Sequence, residues 1–491
     1  MADFDITIIG GGINGTAIAR DAAGRGLRVL LVEQNDLSSG TSWTSSKLIH
    51  GGLRYVEQGA FRLVQEGLLE RSILLKTAPH IIWPARFVLP HHKGLRPAWM
   101  LRVGLFIYDL LAGKSLLPGA HAVDLTKDDA GMPLQSQYHT GFEYSDCCVD
   151  DARLVVLNAV DAATRGAEIR TRTRFEKAER HNNEWHIQLN NKSVTSRILI
   201  NASGPWIEEV NGMMPPEIAQ DHIKQIKGSH IVVPKLFNHN KAYIFQHADG
   251  RIVFAIPYHT DFTLIGTTDV TVTGDPAKVA ISDEEIDYLC KLASDYFKTG
   301  ITKHNVVWSF AGIRALYDDR SLKAKDLSRD YLLKLDGGAT KPPLLSVYGG
   351  KLTAARHLAE VALEHLAPFI PATKPWTAHS HLPGGDFAWN GFTEMVENTC
   401  KQWAFLTPTH ARRLVRAYGT RTSMIIGKAT RMAEMGECFG ADLTANEVRY
   451  LMQHEWAQTA DDVLWLRSKL GLRFTPEQKN KLSQFMMSEK T

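Results

Sequence analysis

Three glycines and one glutamate near the start of the chain have the types and spacing to hold a dinucleotide. Gly10, Gly12 and Gly15 form a G-x-G-x-x-G motif between an apolar strand pattern and an alanine-rich helix pattern. In such a motif the first glycine permits a tight turn, the second lets the backbone approach a pyrophosphate, and the third lets helix and strand pack closely. Glu33 ends the next strand pattern, where its carboxylate would accept hydrogen bonds from ribose hydroxyls. The motif does not distinguish NAD from FAD.

A series of motifs along the chain carries a family resemblance. Residues 41–55, TSWTSSKLIHGGLRY, closely resemble the signature of the FAD-dependent glycerol-3-phosphate dehydrogenases of the bacterial aerobic type. Other matching motifs follow in the family's order: NASGPW at 201–206, KGSHIVVP at 227–234, GTTD at 266–269, SFAGIR at 309–314, SRDY at 328–331 and VYGGKLT at 347–353. The chain departs from the pattern at Ser203, where threonine is usual, and at Ala315-Leu316, where a proline is common. Because order and spacing are kept, the resemblance covers essentially the whole chain.

The resemblance implies an enzyme that binds FAD noncovalently and oxidises sn-glycerol 3-phosphate to dihydroxyacetone phosphate. The glycine motif then holds the FAD pyrophosphate, and the later motifs add further contacts. The expected FAD-binding residues are Gly10, Gly12, Asn14, Gly15, Glu33, Thr41, Ser42, Ser46, Lys47, Leu48, Ala202, Gly204, Gly350, Leu352 and Thr353.

The implied substrate is a small dianion, so its site needs cations. Arginine suits phosphate because its planar fork donates two parallel, charge-assisted hydrogen bonds. The matching motifs supply Arg54, Arg314 and Lys351 as active-site groups, and Arg329 as a further substrate ligand. We count Arg314 among the catalytic residues.

The secondary alcohol of the implied substrate also needs a base. A base that titrates near neutral pH favours histidine. Of the 20 histidines, His50 and His230 lie in matching motifs, and we rank His50 first. Tyr55 and Thr268 are predicted to hydrogen-bond the substrate or the flavin, with packing and strand-edge hydrogen bonds as the alternative roles.

Composition and charge indicate a globular protein in a reducing compartment. The 491 residues are 44% apolar and 22% charged, and a net charge of only +3 predicts no nucleic-acid partner. Five cysteines without a C-x-x-C pair argue against a disulfide framework, and no metal site is expected. We expect a cytoplasmic protein, because the sequence has no signal-peptide pattern and no apolar run of roughly 20 residues.

Local patterns predict the elements that position these residues. Strands at 5–9 and 28–33 around a helix at 16–26 form a βαβ unit, which requires a parallel sheet. A helix is predicted over 60–77 from its apolar spacing. Alternating patterns predict antiparallel strands at 185–189, 197–201, 243–247 and 251–256, the last two as a hairpin around Asp249-Gly250.

Capping patterns predict several further helix ends. Ser282 and Thr444 each begin a capping box, and Thr407 and Thr475 each precede a proline suited to the first helical position. Gly419 stands where a helix C-terminal cap is expected. Helices therefore dominate the predicted structure after residue 385.

The implied fold is of mixed α/β and α+β class. A Rossmann-like FAD-binding domain receives an inserted antiparallel-sheet substrate domain, as in D-amino-acid oxidases, and a C-terminal helical domain follows. The predicted boundaries are 1–90, 141–215 and 326–384 for the FAD-binding segments, 91–140 for a membrane-facing or substrate-domain segment, 216–325 for the substrate-binding domain and 385–491 for the helical domain.

Residues 91–114 combine apolar and basic side chains on one predicted helix. Its apolar face holds Trp99, Met100, Val103, Phe106, Ile107, Leu110 and Leu111, flanked by His91, His92, Lys93, Arg96, Arg102 and Lys114. Such a segment can lie in the interface of an anionic bilayer; a core helix with a basic end is the alternative. The resemblance favours peripheral binding at the inner face of the cell membrane, with ubiquinone or menaquinone as electron acceptor. A homodimer is compatible with the sequence.

Three other functions remain as alternatives. The first is a soluble oxidase that gives the electrons of glycerol 3-phosphate to oxygen. The second is an amine or amino-acid oxidase of the same fold, which need not gather several cations. The third is a flavin-binding protein that uses its helical tail for interactions and does not turn over substrate.

Overall fold

A computed structural model describes residues 2–92, 94–190, 192–218, 221–246, 251–318, 330–338 and 340–490. The strands are β1 Phe4–Ile9, β2 Val29–Val32, β3 Leu48–Ile49, β4 Ile82–His91, β5 His121–Asp124, β6 Thr140–Val149, β7 Glu168–Arg170, β8 Phe175–His181, β9 Glu184–Leu189, β10 Lys192–Asn201, β11 His222–Pro234, β12 Ala242–Gln246, β13 Ile252–Tyr258, β14 Phe262–Gly266, β15 Val270–Val272, β16 Trp308–Asp318, β17 Leu332–Asp336, β18 Leu344–Tyr348, β19 Cys438–Gly440 and β20 Leu443–Thr444. The α-helices are α1 Ile13–Gly24, α2 Leu53–Glu57, α3 Phe61–Thr77, α4 Ala98–Leu111, α5 Asp151–Thr164, α6 Ile207–Gly212, α7 Asp283–Tyr296, α8 Ala355–His365, α9 Phe392–Gln402, α10 Pro408–Tyr418, α11 Thr422–Ile426, α12 Ala445–His454 and α13 Pro476–Ser488.

The first sheet is built around the predicted βαβ unit. β1 pairs in parallel with β2 on one side and with β10 on the other, and β10 pairs in parallel with β18. All four residues of β2 are buried, as expected for a parallel strand covered on both faces. Helix α1 begins at Ile13 rather than Thr16, because Gly12 already acts as its N-cap. The predicted strands at 185–189 and 197–201 lie in β9 and β10, but β9 pairs antiparallel with residues 192–196 of β10, whereas the predicted segment pairs in parallel with β1.

The second sheet is mainly antiparallel. Its strand order is β15-β11-β14-β13-β12-β4-β6-β3, with β16 paired to β11 and β5 paired to β6. The predicted hairpin strands are confirmed as β12 and β13. Its turn residues, Asp249 and Gly250, lie outside the described residues. Helix α7 covers one face of this sheet and begins with the predicted capping box at Ser282.

Two predicted domain boundaries, at 90/91 and at 140/141, are wrong. β4 and β6 pair with each other along their whole length, from Ile82 opposite Val149 to His91 opposite Thr140. Both strands therefore belong to the second sheet, not to FAD-binding segments ending at 90 and resuming at 141. Their pairing joins residues 49 to 67 positions apart, and a local hydrophobic pattern carries no information about such a partner.

The region after residue 385 is mostly helical and has its own apolar core. Thr407 and Thr475 cap their helices as predicted, and Gly419 follows α10. The capping box at Thr444 is a wrong prediction, because Thr444 is the N-cap of α12 but its side chain makes no capping hydrogen bond. Glu447, the expected partner, instead accepts hydrogen bonds from Arg413 and from the Tyr418 hydroxyl.

Candidate active site

The glycine motif closes on neighbouring backbone. Gly10 has a φ of +112°, and a Cβ there would lie 2.5 Å from the Ala202 carbonyl oxygen. A Cβ at Gly15 would lie 2.0 Å from the Gly10 carbonyl oxygen. Gly12, the N-cap of α1, supplies no capping side chain, and the partial positive charge of the helix N-terminus suits an anion. The turn therefore has the close approach and electrostatics that a pyrophosphate requires.

Glu33 lies at the end of β2, beside this turn. Its two carboxylate oxygens accept hydrogen bonds from the Gly11 amide at 2.7 Å and the Asn35 amide at 2.8 Å. Burial raises the pKa of the Glu33 carboxyl above its ordinary value, and the two amides act in the opposite direction. The carboxylate is thus fixed at the edge of the turn, where a ribose would lie.

Residues 41–44 form a short 3-10 helix across the start of α1. The Ser42 hydroxyl accepts a 3.0 Å hydrogen bond from the Ile13 amide, and the Thr41 hydroxyl donates at 2.7 Å to the carbonyl of Ile313 in β16. This segment therefore joins the helix N-terminus of the first sheet to a strand of the second.

The VYGGKLT motif at 347–353 lies against the same turn. We call the site formed by the glycine turn at 10–15, Glu33, residues 41–44 and this motif the cradle. The Asn14 side-chain amide donates a 3.0 Å hydrogen bond to the Gly349 carbonyl, and a Cβ at Gly350 would lie 2.9 Å from that amide nitrogen. The Asn14 Oδ1 atom is buried and has no hydrogen-bond partner among the described residues. The Thr353 hydroxyl accepts from the His50 amide at 3.3 Å. Glycines in close contact with their neighbours, the positive end of a helix and a buried polar atom without a partner together fit a dinucleotide cofactor such as FAD.

The predicted cations border this cradle. Arg54 and Tyr55 lie in α2, and Lys351 Nζ lies 4.2 Å from the centroid of the Tyr55 ring. Arg314 lies in β16, where its guanidinium pairs with Asp269 and donates at 3.2 Å to the Thr267 hydroxyl. Arg329 lies outside the described residues.

The two candidate bases lie in different surroundings. His230 is buried, stacks on Phe310 with centroids 4.9 Å apart, and has Nε2 2.9 Å from the Ser46 hydroxyl. Burial, together with the charges of Lys47 and Arg314, holds the pKa of His230 well below its ordinary value. His50 is only partly buried and lies in the loop before α2. Of the two candidate bases, His50 is therefore the more exposed.

Other predicted residues are occupied within the protein. The Thr268 hydroxyl donates to Glu285 at 2.7 Å and accepts from the Ser229 amide at 3.0 Å. Lys47 Nζ donates to Asp151 at 2.6 Å, and Leu48 lies in β3. Gly204 has a φ of +59° at the start of a 3-10 turn. The side chains of Lys47 and Thr268 are therefore suited to stabilise the surrounding structure rather than to contact a ligand directly.

Two residues beside the site were missed by the sequence reasoning. Asp269 pairs with Arg314 and stands at the end of the GTTD motif, so its place in that motif was the available signal. Tyr108 accepts a hydrogen bond from the Gly51 amide, and nothing in the pattern around residue 108 indicated this. Among the described residues, no cluster of His, Cys, Asp and Glu could hold a metal ion.

Helix α4 presents an apolar face to solvent near this site. Trp99, Met100, Val103, Phe106 and Leu110 are between 40% and 68% exposed. Ile107 and Leu111, predicted on the same face, are partly buried. Within the described parts of the chain, no helix is both long enough and apolar enough to cross a membrane.

The fold and the cradle define the chain as an FAD-dependent oxidoreductase. The family model described as "FAD dependent oxidoreductase" matches residues 5–356, and the model described as "C-terminal domain of alpha-glycerophosphate oxidase" matches residues 375–486. The chain is similar in structure to the glycerol-3-phosphate dehydrogenase of Bacillus halodurans complexed with FAD, with a TM-score of 0.76 and 25% identity over 99% of this chain and 94% of that one.

Similar sequences narrow the class. A glycerol-3-phosphate dehydrogenase of Pseudomonas aeruginosa is 49% identical over 99% of this chain and 95% of its own length. The aerobic glycerol-3-phosphate dehydrogenase of Escherichia coli is 45% identical over 99% and 98%. A D-erythritol 1-phosphate dehydrogenase of Brucella abortus is 46% identical over 96% and 95%. The chain belongs to the family of FAD-dependent glycerol-3-phosphate dehydrogenases.

Proposed function

We propose that this protein oxidises sn-glycerol 3-phosphate to dihydroxyacetone phosphate, with the hydride from C2 passing to FAD. The observation that carries the proposal is the placement of cations around the turn at 349–350. Lys351 follows the turn, and Arg54 adjoins Tyr55, the ring beneath Lys351 Nζ. The backbone next to Arg314 lies beside the same turn. The carbonyl oxygen of the following residue, Ala315, would lie 3.8 Å from a Cβ added at Gly349. A dianionic phosphate next to a flavin requires such a group of cations.

The side chains divide the work of the reaction. FAD, when bound, supplies the acceptor of the two electrons. Arg54 and Lys351 bind the phosphate, and Arg314, now paired with Asp269, orients the substrate from the opposite sheet. His50 accepts the hydroxyl proton, because it is accessible in the loop before α2. His230 stays neutral and holds Ser46, consistent with its low pKa.

The geometry of the cradle supports the proposed FAD contacts. Gly10, Gly12 and Gly15 receive the pyrophosphate at the start of α1, and Glu33 receives the ribose. The remaining contacts come from the segments that meet there, through Asn14, Thr41, Ser42, Ser46, Ala202, Gly204, Gly350, Leu352 and Thr353, with Lys47 and Leu48 behind them. The binding is noncovalent.

Reduction of the flavin by its substrate tests the proposal. Without oxygen, glycerol 3-phosphate should bleach the flavin absorbance of the purified protein, and glycerol should not. An Arg54→Gln variant should stay yellow but need at least about tenfold more substrate, because a lost charged hydrogen bond costs about 1.5–3 kcal/mol.

Arg62→Gln is the matched control for that experiment. Arg62 is an exposed arginine of α3 that pairs with Glu66, so its loss should leave the bleaching unchanged. Failure of glycerol 3-phosphate to bleach the wild-type protein would refute the substrate. Equal behaviour of the two variants would refute the role of Arg54.

A longer polyol phosphate is a second candidate substrate. The relative named D-erythritol 1-phosphate dehydrogenase is 46% identical to this chain, between the 45% and 49% of two relatives named for glycerol 3-phosphate. D-erythritol 1-phosphate belongs in the same bleaching assay at equal concentration. Faster bleaching by the four-carbon compound would assign it as the substrate in place of glycerol 3-phosphate.

The reduced protein passes its electrons to ubiquinone or menaquinone from a peripheral position at the inner face of the cell membrane. The exposed apolar face of α4 supports this, because Arg96, Arg102 and Lys114 flank it and suit anionic headgroups. A soluble quinone should restore the flavin colour after bleaching. Hydrogen peroxide formed at the same rate without quinone would instead indicate an oxidase.

A further inference from the structure

Helix α2, which carries Arg54, is tied at both ends to the segment that contains α4. Just before α2, the Gly51 amide donates a 2.9 Å hydrogen bond to the Tyr108 hydroxyl. At its last residue, Glu57 pairs with Arg96, whose Nη2 lies 3.3 Å from the carboxylate. The position of α2, which we call the substrate helix, therefore depends on α4.

The Tyr108 hydroxyl is held in one orientation. It donates to the Asp146 carboxylate, 2.8 Å from Oδ1, and Arg71 pairs with the same oxygen at 2.8 Å. All three side chains are buried. Because the proton points to Asp146, a lone pair of the hydroxyl oxygen faces the Gly51 amide.

The loop before α2 lies in a narrow slot. A Cβ at Gly51 would lie 2.6 Å from the Leu68 side chain on α3 and 2.9 Å from the Tyr108 hydroxyl on α4. Gly52, the N-cap of α2, has a φ of +80°. A shift of α4 would therefore be passed to Gly51, and the turn at Gly52 would swing Arg54 relative to the cradle.

The two sides of α4 face different surroundings. Leu105 and Tyr108 are buried against the protein, whereas Val103, Phe106 and Leu110 are 49–68% exposed. One helix of four turns thus has the substrate loop on its inner side and an exposed apolar surface on its outer side.

We propose that Tyr108 is a positioning residue for the substrate helix, through which lipid contact on the outer side of α4 tightens substrate binding. The inference rests on the proposed substrate and membrane contact. A bilayer that holds α4 limits its movement, and the Tyr108–Gly51 hydrogen bond passes that restraint to Arg54. The effect falls on substrate binding rather than on hydride transfer, because the bond acts on the phosphate-binding helix.

The test compares Tyr108→Phe holoenzyme with wild type, with and without vesicles that contain phosphatidylglycerol. We expect the variant to keep its FAD, to raise KM for glycerol 3-phosphate at least about fivefold, and to change kcat less than twofold. Vesicles should lower KM in wild type and leave it unchanged in the variant. Tyr138→Phe is the control, since Tyr138 is also buried and its hydroxyl donates to the Asp295 carbonyl in the second-sheet core.

A second variant and a second measurement keep the proposal open to refutation if Tyr108→Phe fails to fold. Glu57→Gln removes the partly exposed tie to Arg96 and should raise KM in the same direction. In wild-type protein, vesicles should slow amide hydrogen exchange in residues 48–57. Unchanged KM in both variants would overturn the positioning role, and equal vesicle responses would overturn the transmission. Lack of vesicle binding would refute the membrane contact. Lack of flavin bleaching would refute the proposed substrate, so the two failures can be told apart.

Discussion

The conformation of Gly10 is constrained by Ala202, which directly follows the neighbouring parallel strand β10. Its φ of +112° is a conformation that other residues rarely adopt, and the Ala202 carbonyl occupies the space where a Cβ would point. The requirement comes from β10, whose last residue pairs with Ile9 immediately before the glycine. A residue nearly two hundred positions away therefore decides what position 10 can hold.

A Gly10→Ala substitution should weaken FAD binding by at least about fivefold. A strained φ costs about 1–3 kcal/mol, and relief of the contact with Ala202 would move the turn that receives the pyrophosphate. Titration of the apoprotein with FAD, followed by flavin fluorescence, measures the change. Gly212→Ala is the control, because a Cβ there meets no atom within 4 Å. Equal FAD affinity in the two variants would contradict this account of the cradle.

At this scale the sequence predicts residue types better than their surroundings. The motif positions led to Asn14, Ser42 and Thr353, which the structure brings together. The burial of His230 was not predictable, because its ring packs on Phe310 of a strand about eighty residues later. The burial of a histidine depends on contacts with residues outside its own sequence motif.

The two faces of helix α4 differ in their exposure to solvent. Its inner face belongs to the core beneath the second sheet, whereas Trp99, Phe106 and Leu110 lie 66–68% exposed on the outside. Large apolar side chains grouped in this way mark a contact surface rather than ordinary scattered exposure. Exposed basic residues on the same segment support the proposed contact of that surface with anionic lipid.

Replacing Phe106 and Leu110 together by serine should weaken binding to anionic vesicles by at least about tenfold. Burying one such side chain contributes about 1.5–3 kcal/mol when complete, and both are lost here. Cosedimentation with vesicles measures the effect, and flavin bleaching should persist because neither side chain borders the cradle. Met487→Ser, a change at a 67% exposed position in α13, should bind as wild type does. Undiminished binding of the double variant would exclude α4 as the contact surface.

Elements formed by nearby residues were predictable, and those completed by distant partners were not. The β1-α1-β2 unit followed from its own periodicity and glycines, with a helix that begins three residues earlier and ends two residues earlier than predicted. The residues of β4 and β6 were placed mostly in the predicted FAD-binding segments, because each strand is completed by the other across the α4 segment. Thr444 failed as a capping box for the same kind of reason, because Arg413 takes the glutamate it needed.

The whole molecule is joined by buried ion pairs between the C-terminal region and the first sheet. Arg467 donates to both carboxylate oxygens of Asp36, at 2.7 and 3.0 Å, and both side chains are buried. Arg153 of α5 pairs with Glu455 in the same way. Asp36 closely follows Glu33, so the helical region holds the loop that faces the proposed ribose position.

An Arg467→Met variant should lose about 3–5 kcal/mol of stability, because it leaves the Asp36 carboxylate buried without its cation. Its FAD affinity should fall as well, since the Glu33 loop must rearrange. Thermal unfolding and FAD titration measure the two effects. Arg449→Met removes a partly exposed pair with Glu489 and should cost less than about 1 kcal/mol. Comparable losses in the two variants would show that the buried pair does not hold the loop.

The order in which the first sheet uses the chain has a consequence for biosynthesis. β1, near the start of the chain, pairs with β10, which in turn pairs with β18 near residue 345. The partner of Asp36 stands 431 residues after it. During synthesis the ribosome must therefore release almost the entire polypeptide before the nucleotide cradle closes. We expect nascent chains that lack the last quarter of the protein to emerge without their flavin and to depend on chaperones until translation ends.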